Sequence, residues 1–136
     1  MLERVCSWLQ TFPLWEGTLR VDYADEIPGS TGLYPRGLTE LSRREDVLGN
    51  VTVRCSWGFA LQRAALPGEE NARWLMEFQT WVADQNRLGL APQFGDDPKQ
   101  ERIRAFDGRI YDRAQAGSGR YTVMLTAEFT KIYRGE

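Results

Sequence analysis

From Val51 to Gln62 the chain alternates without interruption. Val51, Val53, Cys55, Trp57, Phe59 and Leu61 fall on one side, and Thr52, Arg54, Ser56, Gly58, Ala60 and Gln62 on the other. Period two is the repeat of an extended chain, so this stretch reads as a long strand with one buried face. Such a strand constrains everything around it. It needs hydrogen-bonded neighbours on its edges and an apolar layer over its buried side.

The neighbours are visible elsewhere in the chain. Thr18–Tyr23 alternates Leu19, Val21 and Tyr23 with Thr18, Arg20 and Asp22. Glu101–Ala114 and Arg120–Tyr133 read as two extended runs joined at Ala116-Gly117-Ser118-Gly119, whose glycines suit a hairpin turn. In the second run Tyr121, Val123, Leu125, Ala127 and Phe129 share one face. The covering layer is helical. Leu2, Val5, Cys6, Leu9 and Phe12 recur at three and four residues until Pro13 ends the run. Ala72, Leu75, Phe78 and Val82, with Trp74 and Trp81 on a neighbouring line, do the same within Glu69–Leu88. Glu69 and Glu70 suit the positive start of this second helix, Arg87 its last turn and Gly89 its stop. Ala24–Gly37 and Leu90–Lys99, rich in Gly, Pro and Asp, read as long loops, Leu38–Asp46 as an extended segment and Val47-Leu48-Gly49-Asn50 as a turn.

The order helix, strands, helix, strands lacks the regular alternation of a doubly wound parallel sheet. The expected class is α+β, a mostly antiparallel sheet with two helices packed on one face. At 136 residues, with no internal repeat or low-complexity linker, the chain reads as one domain over residues 1–136.

Composition limits what such a domain does. With 42% hydrophobic and 26% charged residues it supports a packed core and not disorder. A net charge of −2 gives no general attraction to nucleic acid or anionic lipid. A DNA-binding role needs a strongly local patch, and Arg43-Arg44 is too short to be one. No apolar run approaches the ~20 residues that span a bilayer, and Met1-Leu2-Glu3-Arg4 lacks the basic and apolar regions of a signal peptide. A cytoplasmic protein with no membrane partner is expected. Cys6 and Cys55 have no CxxC partner and read as small buried apolar residues.

Signals for catalysis are missing. The absence of histidine removes the commonest general base, the Ser-His-Asp and Cys-His systems and most zinc sites. Asp22, Asp25 and Glu26 near a strand end, and Asp96-Asp97 in a loop, lack the spacing of a calcium loop and read as solvated charges. The glycines at 29, 32 and 37, and Gly117-Ser118-Gly119, form no phosphate-binding motif. No catalytic residue, metal ligand set or cofactor is expected. Five tryptophans are many for this length. Trp8, Trp15 and Trp57 read either as packing between helices and sheet or as anchors of a subunit interface.

The wording of longer stretches points further. Val21-Asp22-Tyr23-Ala24-Asp25-Glu26-Ile27-Pro28-Gly29-Ser30-Thr31-Gly32-Leu33-Tyr34-Pro35 resembles the tail terminators, a family of small tail-completion proteins from prophages and phage-like particles of Gram-positive bacteria. Gly37–Val53, Trp74–Gln85, Gly89-Leu90-Ala91-Pro92-Gln93-Phe94-Gly95, Gln100–Ala105 and Tyr121–Lys131 are similar to it as well, so the resemblance covers nearly the whole chain. It implies a tail-terminator-like fold and a structural protein of the virion tail or neck, assembled in the host cytoplasm. Such a subunit forms a hexameric ring on the head-proximal end of the tail tube, stops tube polymerisation and offers a surface for head or neck attachment. The implied partners are further copies of the chain, the tail tube protein, and beyond these the sheath protein and a head or neck connector. No cofactor and no sequence-specific nucleic-acid binding are implied. Another neck or head-completion subunit, or a small carboxylate-dependent enzyme, is the alternative.

A ring closed by rotation needs two different, complementary patches. Leu33, Tyr34, Leu38 and Leu41 lie in a segment with little order to bury them, and Arg43 and Arg44 stand beside Glu45 and Asp46. Ala24–Asp46 is therefore expected to supply one side of the interface, with those six as its candidate residues. For the tube-facing surface the candidates are an exposed edge of Arg120–Tyr133 and the turn at Ala116–Gly119.

Overall fold

The computed structural model describes residues 2–22, 30–64, 70–97, 101–111 and 120–135, with side chains left undescribed at 70, 71, 109–111 and 120. Several expected features lie outside the described residues. They are Tyr23, the loop at 24–29 with Asp25 and Glu26, Glu69, the Pro98-Lys99 end of the second loop, Asp112–Ala114 and the turn at Ala116–Gly119.

The elements run α1 (Leu2–Leu9), β1 (Leu19–Val21), β2 (Thr31–Glu45), β3 (Val51–Ala64), α2 (Glu70–Arg87), β4 (Arg102–Tyr111) and β5 (Arg120–Tyr133). The five strands form one mixed sheet in the order β1-β2-β3-β5-β4. β1 joins β2 in parallel, and every other pairing is antiparallel. The class is α+β, and the alternating stretch that fixed the reading is the central strand.

Register explains the core. Cys55, Phe59 and Leu61 of β3 pair with Phe129, Leu125 and Val123 of β5, so the apolar sets of both strands fall on one face. Ile103 of β4, opposite Ala127, and Leu33 of β2, opposite Leu61, extend that face sideways. Both helices cover it. Val5, Trp8, Leu9 and Phe12 from the first segment and Trp74, Leu75, Phe78 and Val82 from α2 share one buried cluster with the sheet. A second cluster, Val53, Cys55 and Phe129, lies further along the same face, beneath Phe94 of the 88–97 loop.

Local chemistry sets the helix ends. After α1 the amides of Thr11 and Phe12 donate three residues back, to Trp8 O and Leu9 O, tightening the last turn before Pro13. At the end of α2 Gly89 takes φ +72, Leu90 N donates to Gln85 O (2.9 Å) and Gly89 N to Asn86 O (3.1 Å). Those are the two bonds of a Schellman motif, made at the glycine expected to stop the helix.

All five tryptophans pack within the subunit. Trp8 and Trp74 are buried, while Trp15, Trp57 and Trp81 pack against the core from its margin. Trp8 stacks on Trp81 with centroids 4.9 Å apart, and its Nε1 donates to Gln85 Oε1 (3.0 Å). Cys55 is buried as expected, whereas Cys6 is half-buried, and burial pushes its thiol pKa up.

The first loop is shorter than its composition suggests. Thr31–Gly37 belongs to β2, although it contains Gly32, Pro35 and Gly37. Pro35 has no N–H to donate, and it stands past the short β1, which pairs only with Thr31, Gly32 and Leu33. A bulge at Arg36 follows, with Gly37 at φ +107, so the residues that usually mark turns here accommodate an edge-strand irregularity.

Candidate functional site

β4 is one outer strand of this sheet; on the other side the short β1 covers only three residues of β2 and leaves the rest of it an edge. β4 is sealed by α2. Asn86 Oδ1 accepts from Ile103 N (2.8 Å), Asn86 Nδ2 donates to Ile103 O, and Gln79 Nε2 reaches Ala105 O (3.5 Å). Two side-chain amides thus take up backbone groups that would otherwise face an incoming strand. A register shift follows between Phe106 and Arg109, with Asp107 at φ +56, and interrupts the ladder with β5, which resumes at Arg109 opposite Thr122.

β5 is not an edge strand, because it lies between β3 and β4. Its final residues outrun the start of β4, and Asp96 closes that gap: its N–H donates to Thr130 O (2.7 Å), and its Oδ2 accepts from Ile132 N (2.8 Å). The expected tube-facing edge at Arg120–Tyr133 is therefore corrected. Asp96, read from sequence as a solvated charge, is a structural acceptor.

β2 is open. Among the described residues no strand pairs with its outer edge from Tyr34 to Glu45, and its side chains from Pro35 to Glu45 are exposed. With the start of β3, itself paired on its other side with β5 as far as Val51 and Tyr133, it forms a hairpin, the arm, at the end of the sheet where no helix residue joins the buried cluster. Shifts at Arg36 and Leu41 interrupt its outward backbone groups, and Glu40 and Arg43, brought to one side by the second shift, form an exposed ion pair (2.7 Å). Bulges and charges of this kind blunt an edge against indiscriminate strand addition, so a partner here must match side chains as well as backbone.

The tip of the arm is rigid and apolar. Asp46 N donates to Asn50 O (3.0 Å), Gly49 N to Asp46 O (3.1 Å), and Asp46 Oδ1 accepts from Leu48 N (2.9 Å) and Asn50 N (3.0 Å). The side-chain bond from Asn50 (3.0 Å), together with these amides, holds the Asp46 carboxyl below its usual pKa. Gly49 supplies the left-handed residue at φ +83. Asn50 Oδ1 also accepts from Gly135 N (2.9 Å), tying the turn to the residues after β5. This fixed frame holds Val47 at 102% and Leu48 at 75% exposure.

The six expected interface residues separate accordingly. Leu33 is at 0% exposure in the core and offers no surface, because β2 is already a paired strand there. Tyr34 is half-buried. Leu38 at 56%, Leu41 at 47%, and Arg43 and Arg44 lie on the exposed arm. Sequence reasoning read Val47 and Leu48 as turn residues only; two aliphatics in a turn framed by Asp46, Gly49 and Asn50 were the available signal.

The sheet face opposite the helices carries a half-buried acid, Glu128. Glu128 accepts from Arg102 Nε (2.6 Å) and Arg54 Nη2 (3.2 Å), with Arg104 at 3.9 Å. Burial alone raises its pKa, but the Arg102 bond and the three positive charges outweigh that and hold it below the ordinary range. A lowered folded pKa means stability that is present above the unfolded value and lost as pH falls through the folded one. Acid titration is therefore expected to find wild type losing this contribution below about pH 4.3, the ordinary glutamate value. Glu128→Gln should be less stable at neutral pH and show a shallower acid slope; parallel curves for the two proteins exclude the linkage.

Among the described residues no cluster of three or more Cys, Asp or Glu side chains is placed to hold a metal ion, and no helix is long and apolar enough to cross a membrane. Asp22 sits at φ +59 directly after β1. Comparison with protein-family models gives no match, and comparison with curated proteins gives none either.

Proposed function

We propose that the chain is a structural subunit that closes into a hexameric ring on the head-proximal end of a tail tube, as a tail terminator does. In that place it stops tube polymerisation and offers a surface to the head or neck. The rigid, apolar-tipped arm supports this reading, together with the resemblance of the sequence. Burying an aliphatic side chain of this size is worth about 1.5–3 kcal/mol, so Val47 and Leu48 gain most when a neighbouring subunit covers them. An arm on one side of the subunit and a different receiving patch on the next is the heterologous arrangement that rotation closes into a ring. The sealed β4 edge and the bulged β2 edge both disfavour open-ended sheet growth, which suits a closed assembly. The tail tube protein is the expected axial partner, with the sheath protein and a head or neck connector beyond it. No catalytic residue, metal or cofactor enters this reading.

Light scattering after size exclusion, and electron microscopy of the protein mixed with tails, test it. Wild type should have the mass of a ring and mark the head-proximal end of tubes. Val47→Asp with Leu48→Asp should leave a folded monomer with an unchanged far-ultraviolet spectrum and tubes of uncontrolled length. A wild-type chain that stays monomeric and binds neither tube end overturns the proposal. Labelling confined to the neck, away from the tube, reassigns it to a different neck subunit.

A further inference from the structure

The register gathers arginines that the sequence scatters. Arg102 and Arg104 of β4, Arg54 and Arg44 of β3 and β2, and Arg20 of β1 pair with Glu128, Thr126, Thr130, Thr52 and Gly32, all on the sheet face that the helices leave uncovered. Arg36 joins them, since its Nη1 reaches Met124 Sδ (3.6 Å) and its Cβ lies over Gly58. Against these stand Glu128 within the face and Asp46 and Asp97 at one end, where they line a hollow with Arg44 and Arg54. Among the described residues of this face, the arginines therefore outnumber the acids, in a chain of net charge −2.

The positive charge is concentrated toward β4. Three guanidinium groups share the Glu128 carboxylate, and Arg102 and Arg104 are half-exposed. Phe106 continues the same face two residues further along and is 44% exposed. Alternate residues on a strand stand about 6.8 Å apart, so Arg102, Arg104 and Phe106 form a row of two cations and one aromatic ring. They border an open hollow of about 590 Å³ at the β4 edge, whose other wall is Gln79, Val82, Ala83 and Asn86 of α2. Thr126, Gly58 and Gly37 follow Arg104 across the strands, and the Arg36 side chain lies over Gly58 and reaches Met124.

We infer that this face binds the phosphodiester backbone of single-stranded nucleic acid without reading its sequence. Guanidinium groups take phosphates bidentately, and Glu128 holds Arg102 and Arg54 in place for them. An exposed ring in line with cations is the arrangement on which successive bases stack, and a duplex cannot use it. Ring formation does not enter the test, because Arg102, Arg104 and Phe106 lie on β4, away from the arm tip.

Fluorescence anisotropy of the full chain with a labelled oligonucleotide tests it, with single-stranded and duplex DNA and a polyglutamate peptide of equal length as arms. Binding to the single strand should weaken roughly 20- to 50-fold between about 50 and 200 mM salt, as expected for three to four phosphate contacts. Arg102→Gln with Arg104→Gln should cost about tenfold or more at low salt and flatten the salt slope by about 1.4. Phe106→Ala should cost about fivefold or more for the single strand and nothing for the duplex. Arg73→Gln with Arg87→Gln removes the same charge from α2 and should change neither. No binding at low salt, or equal losses in the β4 and α2 variants, overturns the inference. Tighter binding of polyglutamate overturns it in favour of an acidic protein surface, and equal affinity for duplex with no effect of Phe106→Ala overturns the assignment to single strands.

Discussion

Replacing Phe78 with alanine should lower the stability of the folded chain by about 3–5 kcal/mol, the range for removing a fully buried aromatic ring. Phe78 has no exposed surface and sits where the helix layer meets the sheet. Trp74 stacks on it with centroids 4.9 Å apart and an interplanar angle of 8°, Phe12 meets it edge-on at 5.4 Å, and Trp81 lies at 6.0 Å. Three large rings held on two separate segments cannot close over the space it leaves, so the cavity term is added almost in full to the lost transfer energy. At about 3–5 °C per kcal/mol for a chain of this size, the melting temperature should fall by roughly 10–25 °C. Urea unfolding and calorimetry check both figures, with Leu48→Ala at the exposed tip as a control expected to stay within about 0.5 kcal/mol. A loss below about 1 kcal/mol at Phe78 would mean that the two helices are not clamped by this aromatic stack.

The parts of the fold that depend on one face of one element were legible in the sequence. β3 and β5 follow directly from period two, α2 from its apolar spacing and Gly89 from its place after the last turn, because each of these signals is local. What failed was local in appearance and tertiary in cause. Pro35 and Gly37 look like loop residues, yet they lie in β2, where a short neighbouring strand and a bulge make their backbone requirements harmless. Arg63 continues the inward-facing set of β3 and lies at 1% exposure with its guanidinium 4.3 Å from the Trp74 ring centroid, where burial lowers its pKa. Alternation places that side chain inward but says nothing of the aromatic face that accepts it.

The candidate surfaces were legible to a similar degree. Leu38, Leu41, Arg43 and Arg44 are on the exposed arm, whereas Leu33 is interior, a distinction that rests on whether β2 has a partner at that point. The arginine face could not be read at all. Arg36, Arg54 and Arg104 are far apart in the chain, and only the register of four strands brings them to one side. Strand order likewise decides that β5 is interior, and the three-residue length of β1 leaves the rest of β2 an edge; no residue pattern within β5 or β2 carries that information.

Asn86→Leu should have the second large effect, and it separates stability from assembly. Leucine matches asparagine in size and is the better helix former by about 0.5 kcal/mol, so the helix itself gains. The strand loses. Ile103 N–H and C=O, which now meet Asn86 Oδ1 and Nδ2, are left facing an apolar side chain. Each unsatisfied group costs about 1–3 kcal/mol, which makes a net loss of about 2–4 kcal/mol the expected result. Asn86→Asp keeps an acceptor for Ile103 N–H and loses the donor to its carbonyl, so it should fall between the two. The same change opens the β4 edge, where the Asn86 amide no longer competes with an incoming strand, and the variant should self-associate as its concentration rises. That association should persist when Val47 and Leu48 are replaced by aspartate, since it uses the opposite side of the sheet from the arm. If Asn86→Leu is as stable as wild type and no more associated, α2 does not seal β4, and the contrast between a closed edge and an open one no longer supports the arm as the assembly surface.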